Sequence, residues 1–352
     1  MILSVASLLV LGFGAIYSVA LSQPATEFMA VKKQAIALLA GVAAFLLVLS
    51  SHHRVLEGLR VHLYVLGLLL LAGVLVFGVT VRGTTGWFDL GFVNVQPVEF
   101  MKLALVVFLA RFFSGQVEAR LSWKAFLFSG LFAGVPTFLV LLQPDLGSAV
   151  VLLGAWVLFL PFVRAQKFQV VLVVIGLLVG GMLGWNLFLA DYQKARLTAF
   201  LEPAADPLGA GYNVAQATIA IGSGQFMGRG LGFGSQSQLR FLPEAETDFV
   251  LAVLGEELGF FGLLIVFGLF ALLFWRILFW VNETRDRFTS YLILGVGCVL
   301  FIQFVINAGM NLGLLPVTGI TLPFVSYGGS SLFFFLLMFG VVESALTHTS
   351  TF

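Results

Sequence analysis

Long apolar runs, each closed by a short polar or basic break, recur along the whole chain. Runs of roughly 17 to 25 apolar residues match the length of a bilayer-crossing helix, and the strict alternation of an outer-membrane barrel is absent. About ten spanning helices are predicted on this rule, over 2–22, 34–50, 61–80, 98–113, 124–142, 147–163, 168–190, 249–280, 289–311 and 327–347. Pro97 and Pro144 bound the two shortest. The first run lacks a basic start and is too long for a signal-peptide core, so it is expected to remain as the first spanning helix. The pattern predicts an all-α polytopic membrane protein, one integral membrane domain over 1–352. It carries a large extracytoplasmic loop and a re-entrant segment.

Composition agrees. With 60% hydrophobic and 10% charged residues in 352, there is too little polar surface to coat a soluble globule. The net charge of +1 offers no field for nucleic acid. The single Cys298 lies in an apolar run, which excludes a disulfide framework and a thiolate metal cluster.

Charge sets the orientation. If the N-terminus is cytoplasmic, the inner loops hold Arg54, Arg60, Arg111, Arg120, Lys124, Arg164, Lys167, Arg276, Arg285 and Arg287, while the short outer loops hold Lys32, Lys33 and Arg82. Both termini are then cytoplasmic and 191–247 is extracytoplasmic. Glu27, Asp89, Glu99, Asp145, Asp191, Glu202, Asp206, Glu244, Glu246 and Asp248 fall on the outer side, and all four histidines on the inner. A proton acceptor at the outer face must therefore be a carboxylate.

The candidate is Asp248, at the step where the polar loop ends and a long apolar helix begins. Along that helix Ala252, Gly255, Gly259 and Gly262 share its side, permitting close packing or leaving a groove for a prenyl chain. Glu256 and Glu257 lie deeper, and at least one is expected to make a buried bond. Within 191–247, 214–221 reads as a short interfacial helix. The glycines from Gly222 to Gly234 read either as turns or as a nest for pyrophosphate. No Gly-Lys-Ser/Thr follows them, no Gly-x-Ser-x-Gly occurs and no zinc pattern is present, so nucleotide, serine-triad and zinc chemistry are excluded. Glu99 and Lys102 share a helix face, either as a structural ion pair or as an ammonium awaiting a lipid pyrophosphate. The stretch from Gly313 to Ser331, apolar but broken by Pro316 and Pro323, reads as re-entrant backbone rather than a surface turn.

Several strings carry a resemblance. Asp206-Pro207-Leu208-Gly209-Ala210-Gly211-Tyr212-Asn213, Ala220-Ile221-Gly222-Ser223-Gly224, Gln236-Ser237-Gln238-Leu239 through Thr247-Asp248-Phe249, Gly255-Glu256-Glu257-Leu258-Gly259 and Pro316 to Ser331 stand in order along the chain. Together they resemble the SEDS family (shape, elongation, division and sporulation), and the segment from Gln236 to Glu244 is closer to its elongation member than to its division member. Gly86 before Trp87 and Val98 after Gln96-Pro97 depart from the usual family pattern.

The resemblance implies an inner-membrane glycosyltransferase that polymerises lipid II into peptidoglycan at the outer face of the cytoplasmic membrane during elongation. It implies Asp248 as the essential residue and Gln96, Glu99, Lys102, Arg196, Ser237 and Ser330 as substrate-binding residues. It also implies a class B penicillin-binding protein (a transpeptidase) as partner, with lipid II, undecaprenyl pyrophosphate and membrane lipids as ligands and no nucleic acid. Forming a β-1,4 link from an α-linked sugar pyrophosphate inverts the anomeric centre, which fits direct displacement by a hydroxyl. Asp248 would take the hydroxyl proton while Lys102, Arg196 or a bound divalent cation (magnesium or manganese) offsets the leaving pyrophosphate. The competing readings are a lipid II flippase, to which broken helices and buried charges also suit, and a non-catalytic scaffold for the cross-linking enzyme.

Overall fold

The structure, a computed structural model, describes residues 1–21, 28–81, 83–91, 93–116, 120–187, 189–202 and 209–348. Glu27, Arg82 and the Asp206-Pro207-Leu208 string lie outside the described residues.

Helices dominate, in the order α1 (Ile2–Leu21), α2 (Met29–Ser50), α3 (Arg54–Phe77), α4 (Pro97–Ser114), α5 (Trp123–Leu142), α6 (Leu146–Phe159), α7 (Lys167–Leu187), α8 (Asp191–Leu201), α9 (Ala210–Ser223), α10 (Ser235–Gln238), α11 (Val250–Glu283), α12 (Arg287–Asn311) and α13 (Gly329–His348). Among the described residues eight of these are long and apolar enough to cross a bilayer. The chain is a multi-pass helical membrane protein. The other two expected spans are α4, which carries Glu99, Lys102 and Arg111, and α6, only 14 residues long. The short interfacial helix expected over 214–221 falls within α9.

One element was not expected. Between α3 and α4 the chain forms β1 (Val79–Val81), β2 (Thr84–Asp89) and β3 (Asn94–Val95), antiparallel in the order β1-β2-β3. Thr85 of β2 donates its N–H to the carbonyl of Gln143, tying the ribbon to the end of α5 at 3.2 Å.

The chain divides into two compact units. Unit 1 comprises Met1–Gly41, Asp191–Arg276 and Gln303–Phe335; unit 2 comprises Val42–Ala190, Ile277–Ile302 and Leu336–Phe352.

In unit 2, α4 is buried along most of its length, from Val98 at 1% exposed to Ala110 at 0%. Pro97 opens it, where the missing N–H costs nothing. It packs on α3 where Gly67 has no side chain: a Cβ there would lie 2.5 Å from Met101 Sδ. Tyr64 donates to the Phe132 carbonyl at 2.8 Å, and Trp156 Nε1 to Ser129 Oγ at 3.1 Å. Both polar tips buried with these aromatics are thereby satisfied.

The junction of α2 and α3 makes unit 2 acid-sensitive. His53 Nε2 lies 2.9 Å from Thr289 Oγ1, whose own proton goes to Asp286 Oδ2 at 2.6 Å. Nε2 therefore carries the imidazole proton, and Nδ1 is buried without a hydrogen-bond partner. Burial, aided by the neighbouring His52, lowers the His53 pKa from 6.5 to about 4. The unfolded chain takes up this proton at the higher pH, so the stabilisation is complete above about 6.5 and lost progressively toward about 4. Thermal unfolding in detergent is expected to show a midpoint that falls across that window. His53→Gln, which keeps the donor but cannot titrate, should flatten the fall.

Unit 1 contains α1, the first part of α2, α8, α9, α10, most of α11, the end of α12 and the irregular backbone between α12 and α13. That backbone is not a surface turn: Leu322, Phe324 and Val325 are 0%, 2% and 0% exposed. Its polar groups are met internally, as apolar surroundings require. Gln34 brackets it, donating to the Ser326 carbonyl at 3.2 Å and accepting from the Gly328 N–H at 3.1 Å. The Tyr327 N–H reaches the Glu246 carbonyl at 2.8 Å. Gly12 of α1 is crossed so closely that a Cβ would lie 2.4 Å from the Val325 carbonyl oxygen.

Candidate active site

Asp248 lies in unit 1, two residues before α11, and its side chain is partly exposed while Phe249, Val250 and Leu251 behind it are fully covered. The turn that delivers it is wound around one carbonyl. Glu244 adopts a left-handed backbone (φ 53), and its oxygen accepts from the N–H groups of Thr247, Asp248 and Phe249 at 3.2, 3.1 and 3.2 Å. Such a conformation costs about 1–3 kcal/mol and persists only where surrounding bonds enforce it.

The enforcement comes from α12. Asn307 and Asn311, one turn apart, both donate through Nδ2 to the Asp248 carbonyl at 3.0 and 2.9 Å. Asn311 Oδ1 accepts from the Ala252 N–H at 3.0 Å, satisfying a donor in the first turn of α11. Asn307 Nδ2 also reaches the Ile320 carbonyl at 2.8 Å, so one amide fixes both Asp248 and the buried irregular segment. In that segment Gly319 (φ 77) lies alongside the carboxylate: a Cβ there would sit 3.7 Å from Asp248 Oδ2. The backbone of Asp248 is clamped, and its carboxylate is left at a partly open position beside a residue without a side chain.

Deeper in α11, Glu256 and Glu257 are 0% and 1% exposed. Glu256 accepts from the N–H groups of Gln236 and Ser237 at 2.8 and 3.1 Å. Glu257 accepts from Ser18 Oγ of α1 and from the Gly232 N–H. Both thus make buried hydrogen bonds, as expected of at least one.

The same contacts bear on Ser237 and on the alternatives left open for the glycines. Ser237 is 1% exposed, and its hydroxyl donates to the Gly234 carbonyl. The glycine loop is not an open anion nest, because the N–H groups of Arg229, Gly230 and Gly232 are consumed by the Glu256 carbonyl, the Glu257 carbonyl and the Glu257 and Ser18 side chains. Nor do Gly255 and Gly259 line a prenyl groove. Gly259 (φ 68) breaks α11 and receives the loop itself, and a Cβ on Gly228 (φ 79) would lie 2.1 Å from the Glu257 carbonyl oxygen. Gly228→Ala is therefore expected to cost at least the 1–2 kcal/mol of a left-handed alanine, read as a lower unfolding temperature.

Ser330 is also enclosed, at 7% exposed near the start of α13. Arg196 of α8 is partly exposed, with its guanidinium carbon 5.5 Å from the centre of the Tyr192 ring.

The remaining candidates belong to unit 2. Lys102 Nζ lies 2.8 Å from Glu99 Oε1, with side chains 0% and 4% exposed. Gln96, the residue before α4, donates to Asp145 Oδ2 at 3.3 Å, and Asp145 Oδ1 in turn accepts from the Ser148 N–H at 2.9 Å at the start of α6. Although the residue as a whole is not fully covered, burial around its carboxyl pushes the Asp145 pKa up, outweighing the Ser148 bonds and the pull of Lys102. The ion pair that the spacing of Glu99 and Lys102 allowed is present. Asp145 was not singled out from sequence, nor were Asn307 and Asn311. Two amides four apart on one face of an apolar helix were the available signal.

Among the described residues no three His, Cys, Asp or Glu side chains gather at metal-binding distance.

Comparisons with known proteins give the family. A family model described as "Cell cycle protein" and covering FtsW, RodA and SpoVE matches residues 1–351. The peptidoglycan glycosyltransferase MrdB of Escherichia coli K12 is 41% identical over 297 residues, 84% of this chain and 80% of that protein. Stage V sporulation protein E of Bacillus subtilis is 40% identical over 282 residues, 79% of this chain and 75% of its own length. The crystal structure of the rod shape determining protein RodA of Thermus thermophilus superposes with a TM-score of 0.75 at 29% identity, covering 99% of this chain and 96% of that one. A chain from a peptidoglycan synthase complex, described for its coordination of polymerization and crosslinking, superposes with a TM-score of 0.80 at 33% identity, covering 99% and 97%.

Proposed function

We propose a reaction for this chain on one premise: it belongs to the FtsW, RodA and SpoVE family of cell-cycle proteins, and it is a peptidoglycan glycosyltransferase. The acceptor 4-hydroxyl attacks the anomeric carbon of a lipid II-type donor. Its proton passes to the Asp248 carboxylate as the bond to undecaprenyl pyrophosphate breaks with inversion. The observation that carries this reading is the clamp on Asp248. Two α12 amides fix its backbone while the residue keeps partial exposure, so the base is held at a defined position.

On its own unit, Lys102, with Gln96 and Glu99 beside it, is the proposed contact for anionic oxygens, and Arg196 is the proposed cation of unit 1. The membrane in question is the cytoplasmic one, with both termini inside and 191–247 outside. The partner is a class B penicillin-binding protein, supported by the synthase complex to which a structural relative belongs. The role in elongation is supported by the likeness to MrdB and RodA. Incubating the purified protein with lipid II, with and without that partner, should yield glycan strands. Lipid II crossing a liposome without polymer formation would instead establish a flippase.

A further inference from the structure

Unit 2 carries a second feature, away from the acids. The last turn of α4, the residues before α5, those after α6 and the first turn of α12 enclose a cavity of about 240 Å³ at one end of the unit. Three arginines line it, Arg120, Arg164 and Arg287, together with Gln116, Tyr291 and Phe113. Among the described residues none of the three is paired with a carboxylate, although Arg111 on the same turn of α4 is bound by Glu57 at 2.9 Å.

The backbone around Leu121 and Arg164 is tied together, and the three arginines are exposed. The Arg164 carbonyl accepts from the Leu121 N–H at 3.3 Å, and the side-chain amides of Gln166 and Gln169 both donate to the Leu121 carbonyl, at 3.2 and 3.1 Å. Arg287 Nη1 donates to the Gln116 carbonyl at 3.1 Å. Arg164 itself adopts a left-handed backbone (φ 56). Like charges lining one hollow repel, and a bound anion would offset that repulsion.

Positive-inside topology explains basic loops. It does not explain why these three close around one cavity while their neighbour is neutralised. A guanidinium presents its donors as a planar fork that matches phosphate, and basic pockets at the ends of spanning helices lie at headgroup depth. We propose that this cavity binds a phosphate group, from the headgroup of an anionic phospholipid or from a soluble phosphate. The site involves no residue of the proposed reaction.

The test is native mass spectrometry of the full chain in detergent, titrated with phosphatidylglycerol, with phosphatidylcholine and with inorganic phosphate. The wild type should hold one phosphatidylglycerol in preference to phosphatidylcholine. Arg287→Gln should weaken it about tenfold, the size of one charge-assisted hydrogen bond, and Arg120→Gln with Arg164→Gln and Arg287→Gln should abolish it. The single variant on the exposed start of α12 keeps the test valid should the triple one misfold. Displacement of the lipid by millimolar phosphate assigns the free ion as an occupant; its failure assigns the lipid. Equal binding of both lipids, or an equal loss in a control lacking Arg60, Lys124 and Lys167, overturns the proposal.

Discussion

Purified Asp248→Asn protein is expected to make no detectable glycan strands from lipid II while unfolding at the wild-type temperature. Both halves follow from the geometry. Asparagine matches aspartate in shape, and the bonds that fix this position run through the main chain, from Asn307 and Asn311 to the carbonyl and from the N–H to Glu244. The substitution leaves these main-chain bonds in place. What the substitution removes is a group that can take a proton, and general-base catalysis contributes typically 10²- to 10⁴-fold. Strand formation on gels should fall by at least about 100-fold. Retained polymer, or a collapse in stability that accounts for the loss, would count against the role given to the carboxylate.

The next largest effect concerns Lys102. Its ammonium is closed from solvent and lies 2.8 Å from Glu99, so Lys102→Met strands a buried carboxylate. Breaking such a pair from one side costs about 3–5 kcal/mol, whereas replacing both members with apolar residues of similar volume is often nearly neutral. Thermal unfolding should therefore show Lys102→Met strongly destabilised and Lys102→Met with Glu99→Met largely restored. Polymerisation separates the two readings of the pair. If the lysine meets substrate oxygens, as proposed, the double variant folds but stays inactive; recovery of activity along with stability would make the pair purely structural.

The spanning helices were legible because an apolar run of bilayer length admits few other structures. Their ends were less so. α2 begins at Met29 rather than 34 and α3 at Arg54 rather than 61, because Lys32, Lys33 and Arg60 ride on the first turns of helices whose ends reach polar surroundings. The β1-β2-β3 ribbon escaped because its strands are short and one of its ties, the bond between Thr85 and the end of α5, is a contact far along the chain. The break in α11 escaped for a related reason. Gly259 is one of several small residues on a helix face, and only the approach of Gly228 distinguishes it.

Much the same holds for the site. Asp248 was legible as a lone acid where a polar loop meets an apolar helix. Its clamp was not, because Asn307 and Asn311 follow it by about 60 positions and only packing brings them together. The setting of Ser237 was not legible either: the buried Glu256 carboxylate, far along the chain, holds its N–H.

The claim that Asp248 accepts the hydroxyl proton meets its most direct test in the pH dependence of lipid II polymerisation, measured side by side for the wild type and Asp248→Asn. A wild-type rate that falls on the acid side, and a residual Asn-variant rate that is low and flat across the same range, is the outcome this account requires. An Asn variant that polymerises at the wild-type rate with the same acid limb would contradict it.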